Sequence, residues 1–188
     1  NHSNIVDHLV DIRAYILDEL RLGRFSGPFS ASELSRKIGP FRSSPFQIVA
    51  KPGLKGTPPK IRVCRNLSYK GPSGRSVNDE IDSDDFPTRW GSAELTAMVI
   101  ARAPPGSQAA SLDIEAAYRG ITISPDHKRF LVVMFEDLLY LDHTLPLGLT
   151  SASGLQGEVS DAIVDIWNAL NVGPMLKWVD DFVIFRSP

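Results

Sequence analysis

Near its end the chain runs Met175-Leu176-Lys177-Trp178-Val179-Asp180-Asp181-Phe182-Val183-Ile184-Phe185, apolar β-formers on both sides of an Asp pair. The pattern reads as strand, turn, strand, with two carboxylates at the bend. Charges wedged between core strands are costly unless they are paired or bind a metal. Asp also favours turns, so the pair read alone is either a metal site or a polar turn. Asp84-Asp85 is a second such pair, but it sits in a polar, Pro-containing stretch (Asp82 to Pro87) where charge costs little. A further Asp, Asp113, closes the short apolar strand Ala109 to Ile114. If that strand lies beside the terminal hairpin, the carboxylates converge at one end of a sheet. Magnesium takes oxygen ligands, often one or two carboxylates plus substrate phosphates. Two such ions about 3.5–4 Å apart stabilise the attacking and leaving oxygens of phosphoryl transfer.

Charge is distributed to match. The 188-residue chain has a net charge of −2, yet no acidic residue lies between Glu33 and Asp79. That stretch holds Arg36, Lys37, Arg42, Lys51, Lys55, Lys60, Arg62, Arg65, Lys70 and Arg75, ten of the 20 basic residues. The remainder carries all 22 acidic residues and a net charge of −12. A basic block beside an acidic one suits a protein that grips polyanions with one part and metal ions with the other, and it also suits a solvated basic loop.

Apolar content of 43% and charged content of 22% are those of a globular chain and exclude a disordered one. No 18-residue apolar run predicts a membrane span. Cys64 is the single cysteine, which excludes an internal disulfide framework and a multi-cysteine zinc site. With no signal peptide visible at Asn1-His2-Ser3-Asn4, the expected location is intracellular, in cytoplasm or nucleus, and not secreted.

Periodicity places the remaining elements. Ile5, Leu9, Ile12, Ile16 and Leu20 predict an amphipathic helix over 4–22. Residues 23–46, rich in Gly, Ser, Pro and Phe, are expected to be irregular. Phe46–Lys51 and Lys60–Arg65 read as a basic β-hairpin with a Pro/Gly-rich tip, followed by a loop over 68–91. Ser92 caps a helix to about Ala101, stopped by Pro104-Pro105-Gly106. Phe130 to Glu136 and Leu138 to Leu145 form a second β pair. A turn at Leu145-Pro146-Leu147-Gly148 leads into a helix opened by Ser151 or Ser153, with Leu155, Val159, Ile163, Ile166 and Leu170 on one face.

These residues resemble reverse transcriptases. Leu112-Asp113-Ile114-Glu115-Ala116-Ala117-Tyr118 is similar to the family's first palm motif. Leu145-Pro146-Leu147-Gly148-Leu149-Thr150-Ser151-Ala152 is similar to the second, and Trp178-Val179-Asp180-Asp181-Phe182 to the third. Val49-Ala50-Lys51-Pro52-Gly53 and Ile61-Arg62 resemble the fingers hairpin. The run from Arg62 through Ser76-Val77-Asn78-Asp79 is closest to retrotransposon enzymes of the tyrosine-recombinase class. The resemblance covers roughly residues 45–186.

The resemblance implies an α+β fold: a polymerase palm with an antiparallel sheet and packed helices, plus a fingers hairpin, truncated before the thumb. The expected division is 1–40 for an N-terminal helix and irregular segment, 41–91 for the fingers-like hairpin and loop, and 92–188 for the palm with three motifs. It implies a fragment of a retroelement RNA-directed DNA polymerase that adds deoxynucleotides to a primer 3′-hydroxyl. The cofactors would be two magnesium ions, or manganese, held by Asp113, Asp180 and the backbone carbonyl of Ile114, with Asp181 beside them. Lys51, Arg62, Ala116, Ala117 and Tyr118 would bind the nucleotide, Tyr118 by clashing with a ribose 2′-hydroxyl. Leu147 and Gly148 would contact template–primer or nucleotide. Leu147 stands where many relatives carry Gln. The partners would be an RNA or DNA template–primer, deoxynucleoside triphosphates, and the thumb and other polyprotein domains, with no membrane. A viral-type RNA polymerase commonly has an Asp at the Tyr118 position. The other reading is a catalytically inactive or domesticated fragment that binds nucleic acid or another protein.

Overall fold

The structure is a computed structural model that describes residues 3–53 and 56–188, with side chains from Ile5 onward. Lys55, counted above in the basic stretch, lies outside the described residues. In chain order the elements are α1 (Leu9–Arg21), β1 (Phe25–Phe29), α2 (Ala31–Ile38), β2 (Ser43–Ser44), β3 (Phe46–Lys51), β4 (Lys60–Arg65), α3 (Ala93–Arg102), β5 (Gln108–Asp113), α4 (Pro125–Lys128), β6 (Val132–Phe135), β7 (Leu138–Asp142), α5 (Ala152–Ala169), β8 (Met175–Trp178) and β9 (Asp181–Arg186). Short 3-10 turns cover Ser3–His8, Asn78–Glu80, Ser83–Asp85 and Ala117–Gly120. No described helix is long and apolar enough to cross a membrane.

The chain forms two compact units. Unit 1 takes the residues up to Ile81 together with Tyr118–Thr150; unit 2 takes Asp82–Ala117 and Ser151–Pro188. The two stretches of unit 2 are thus separated in sequence by a segment of unit 1.

Unit 1 holds a four-stranded sheet in the order β1-β7-β6-β2 and, separately, the antiparallel pair β3-β4. β6 and β7 join through Glu136-Asp137, both at positive φ (49° and 62°), the conformation a two-residue hairpin of right-handed twist demands. One core gathers Ile12 and Ile16 of α1 with Phe25, Phe46, Ile48, Val133, Phe135 and Tyr140. Two smaller clusters centre on Leu34 with Val132, Leu139 and Leu141, and on Leu67 with Val77 and Leu131.

Residues 23–46 are not irregular: β1, α2 and β2 lie there. The Ser30 N–H donates to the Glu33 carboxylate at 2.8 Å and the Glu33 N–H to the Ser30 hydroxyl at 3.3 Å, a capping box that starts α2. β1 forms despite Gly27 and Pro28 because β7 supplies an antiparallel partner, with a register shift between Ser26 and Phe29. Composition hid both elements. Tertiary pairing overrode the local preference of Gly and Pro for turns.

Unit 2 holds a three-stranded antiparallel sheet in the order β5-β9-β8, with α5 contacting β8. The apolar face of α5 is not the face it buries. Val159, Ile166 and Leu170 are 45%, 58% and 67% exposed, while Gly154, Gln156, Gly157 and Ser160 are buried. The reason is close approach. A Cβ on Gly154 would come within 2.7 Å of Phe86, and Trp90 lies 3.5 Å from the place a Cβ on Gly157 would occupy. Small residues let the helix sit down on the 82–91 segment, and an apolar period alone does not reveal that.

Candidate functional site

In unit 2, β5 and β9 pair so that Asp113 is the register partner of Asp181, and β8 places Trp178 opposite Asp181 from the other side. Directly opposed residues in an antiparallel pair stand on the same face, with Cβ atoms about 4.5–5.5 Å apart. Asp180 precedes them in the two-residue turn Val179–Asp180, and the Ile114 N–H donates to the Asp180 carbonyl at 3.0 Å. This bond carries the strand contact one step past the end of β5. Of the expected Asp pair, only Asp180 lies in the turn; Asp181 begins β9.

Alternation along the strands separates two faces. Met175 and Lys177 of β8 and Phe182 of β9 are buried, and the Lys177 ammonium donates to the Gly157 carbonyl of α5 at 2.9 Å and pairs with Asp161 at 2.5 Å. Asp113, Asp181 and Trp178 stand on the opposite face, all exposed. Two carboxylates directly opposite one another repel. Among the described residues, none of Asp113, Asp180 and Asp181 has an ion-pair partner.

The turn itself is constrained. Val179 has φ +57°, rare and strained for a β-branched residue. Its carbonyl accepts from the Ser160 hydroxyl at 3.0 Å, and Ser160 in turn accepts from the Gln156 amide at 2.7 Å. The chain also leaves β5 through a left-handed residue, Ala116 at φ +51°, followed by buried Ala117. Backbone strain of this kind is held in place only where surrounding structure over-determines it.

Among the described residues no three His, Cys, Asp or Glu side chains are gathered into a ready metal cage. The donor set is instead a facing pair of carboxylates, a third carboxylate in the adjoining turn and main-chain carbonyls. That set is all oxygen, and it fits a hard cation that completes its shell with water and substrate phosphates.

Unit 1 carries the other expected residues. In the β3-β4 pair Lys51 is opposite Lys60 and Val49 opposite Arg62. Phe46, Ile48, Ile61 and Val63 alternate onto the α1 core. Lys51, Lys60 and Arg62 therefore share the solvent face. Lys60 was not singled out from sequence; the strand register, two residues from Arg62, is the signal that finds it. Cys64 follows on that face, its thiol pushed up by burial against the pull of Arg62. Tyr118 lies half-buried in the Ala117–Gly120 turn. Leu147 is 54% exposed, beside Gly148 at φ +95°.

Sequence reasoning missed a buried charge network next to these residues. Arg119 donates to both oxygens of Asp142, at 2.9 and 3.0 Å, and to Glu19 at 2.5 Å. Arg65 donates to Asp142 at 2.7 Å and Arg24 to Glu19 at 2.6 Å. Asp142 is wholly buried. Burial works against the charge of both Arg65 and Arg119. For Arg65 it wins and lowers the pKa; for Arg119 Asp142, Tyr15 and Glu19 together outweigh it and the pKa rises. Apart from Arg24 and Glu19, five positions apart, the partners are separated by 23 to 100 positions, so no local spacing signals the network.

No protein-family model and no curated protein matches the chain. Solved structures do. The foamy viral protease-reverse transcriptase in complex with RNA/DNA hybrid is similar at 15% identity with a TM-score of 0.67, over 97% of this chain and 20% of that one. A mutant of the Prototype Foamy Virus protease-reverse transcriptase is similar at 17% identity and TM-score 0.64, over 100% of this chain and 21% of that one. The foamy viral form in complex with ds DNA is similar at 18% identity and TM-score 0.62, over 94% of this chain and 26% of that one. The chain therefore spans about a fifth to a quarter of the length of these structures. It has an α+β, reverse-transcriptase-like fold.

Proposed function

We propose that the chain is the fingers–palm part of a retroelement RNA-directed DNA polymerase, working inside the cell on a template–primer and deoxynucleoside triphosphates. The observation that carries this reading is the register of Asp113 with Asp181, closed by the bond from Ile114 to Asp180. Three ordered motifs and the fold are consistent with it.

Asp113 and Asp180 would hold two magnesium or manganese ions, with the Ile114 carbonyl and Asp181 assisting. Such ions favour ionisation of the primer 3′-hydroxyl and neutralise the triphosphate. The 3′-oxygen bonds to the α-phosphorus, the α–β phosphoanhydride bond breaks, pyrophosphate leaves and the hydroxyl proton passes to water. Lys51 and Arg62, with Lys60 on the same face, would bind triphosphate oxygens; Arg is suited to bidentate contact. Ala116, Ala117 and Tyr118 would bound the sugar. The exposed basic residues of the acid-free stretch would hold template phosphates with a strong salt dependence.

Primer extension on an RNA template tests the reading. Asp113→Ala and Asp180→Ala should each remove more than about 99.9% of magnesium-dependent dTMP addition, with thermal stability little changed, because Asp113 is exposed, Asp180 is half-buried and neither has an ion-pair partner among the described residues. Extension that survives both substitutions would falsify the site. Nucleic-acid binding without extension, indifferent to magnesium and to Asp113, would establish the inactive-module reading in its place.

A further inference from the structure

The Ser76-Val77-Asn78-Asp79 run has no role in the function proposed above, yet each of its residues is engaged. The Ser76 N–H donates to the Asp79 carboxylate at 2.9 Å, and the Asp79 N–H donates to the Ser76 hydroxyl at 3.1 Å. This reciprocal pair fixes the short turn. Val77 is buried against Leu67 and Leu131, with Leu149 packed on the same cluster. The Asn78 N–H donates to the Leu67 carbonyl at 3.1 Å, which seats the turn on the segment that follows β4.

The Asn78 side chain spans from that segment to the second motif. Its Nδ2 donates to the Ser68 hydroxyl and to the Gly148 carbonyl, both at 2.9 Å. Its Oδ1 accepts the Thr150 N–H, also at 2.9 Å. One amide thus takes a main-chain acceptor and a main-chain donor two residues apart, as a neighbouring strand would. The gripped turn does not bury its own tip: Leu145 behind it is fully buried, but Leu147 is exposed. On its other side, a Cβ on Gly148 would stand 3.5 Å from the Arg65 carbonyl, three residues along β4 from Arg62.

We propose that Asn78 is a positioning residue that sets the Leu147–Gly148 turn for the incoming nucleotide; this rests on the reading of that turn as a nucleotide contact. Asn78 bonds the turn and the Ser68 hydroxyl and none of the three carboxylates of the proposed ion site. Loss of the clamp should therefore weaken nucleotide binding more than the chemical step.

The test uses the full chain, a DNA primer on an RNA template, dTTP and magnesium, with amide hydrogen exchange read at Thr150. Asn78→Ala removes both main-chain bonds. Thr150 protection should fall and the KM for dTTP should rise, each roughly tenfold, with kcat within about twofold, as expected for one or two lost hydrogen bonds. Asn78→Asp keeps the acceptor for Thr150 but turns a carboxylate toward the Gly148 carbonyl. It should keep Thr150 protected and still raise KM, and it serves if the Ala variant does not fold. Unchanged Thr150 protection in the Ala variant overturns the clamp. Lost protection with KM unchanged, or a fall confined to kcat, overturns the positioning role. Failure of the wild-type chain to bind or add dTTP overturns the parent reading and this inference with it. Activity that is present but insensitive to Asn78 overturns this inference alone.

Discussion

In unit 1, Asp142 and Glu19 lie buried among three guanidinium groups, and each of their oxygens is spent on a protein donor. In unit 2, Asp113 and Asp181 face each other across a strand pair, exposed, with no ion-pair partner among the described residues. The same residue type is thus used in two ways. A buried carboxylate needs its countercharge built into the fold, because desolvation is otherwise prohibitive. An exposed, opposed pair tolerates its repulsion in water and keeps its oxygens free of protein partners, as the proposed ion site requires. Substitutions should therefore separate the two sets: unit 2 carboxylates should cost activity without stability, and unit 1 carboxylates should cost stability first.

The loss of extension expected for Asp113→Ala is the largest effect. The counterpart in unit 1 is Asp142→Ala, which strands Arg65 and most of the Arg119 contacts. Breaking one partner of a buried ion network costs about 3–5 kcal/mol. Chemical denaturation should show that loss with the denaturant dependence unchanged. A loss under about 1 kcal/mol would mean the network is wetter and looser than its geometry, and the contrast with Asp113 would collapse.

Tyr15 sharpens the comparison from the alkaline side. Burial, opposed by Arg119, pushes its phenol up to about 12 from an ordinary value of 10.0. Because the folded value is the higher one, the phenol costs nothing while both states keep the proton. As pH rises through 10 the unfolded chain deprotonates first, and stability drains until the folded phenol titrates near 12. Two units correspond to roughly 2–3 kcal/mol. Tyr15→Phe should flatten this part of the stability–pH curve, and an unaltered slope between pH 10 and 12 would show that other groups cause it.

How much of this was legible beforehand follows from whether the signal is local. The β3-β4 strands, the Ser92 cap and the terminal hairpin were readable because their cues, alternation or a capping serine, lie within a few residues. The convergence of Asp113 with the terminal Asp pair was anticipated only conditionally on strand pairing, and the resemblance supplied the order of motifs. The Glu19–Arg119–Asp142–Arg65 network was illegible because its members meet only after the fold forms. The buried face of α5 was illegible for a related reason. Apolar period marks which residues are greasy, but Gly154 and Gly157 show that closeness of approach decides which face is covered.

The smallest effect concerns the turn that presents Asp180. A left-handed Val stores strain of order 1 kcal/mol or more, held here by β8, β9 and the Ser160 hydroxyl on the Val179 carbonyl. Gly adopts that conformation freely but loses a half-buried side chain and more chain entropy. The opposing effects leave Val179→Gly more stable by about 0.5 kcal/mol, whereas Val183→Gly, in the regular part of β9, should be less stable by about 1–2 kcal/mol. Thermal denaturation of the two variants measures the difference directly. If Val179→Gly destabilises as much as Val183→Gly, the turn is unstrained, and unit 2 holds its acidic tip with no more backbone constraint than an ordinary hairpin.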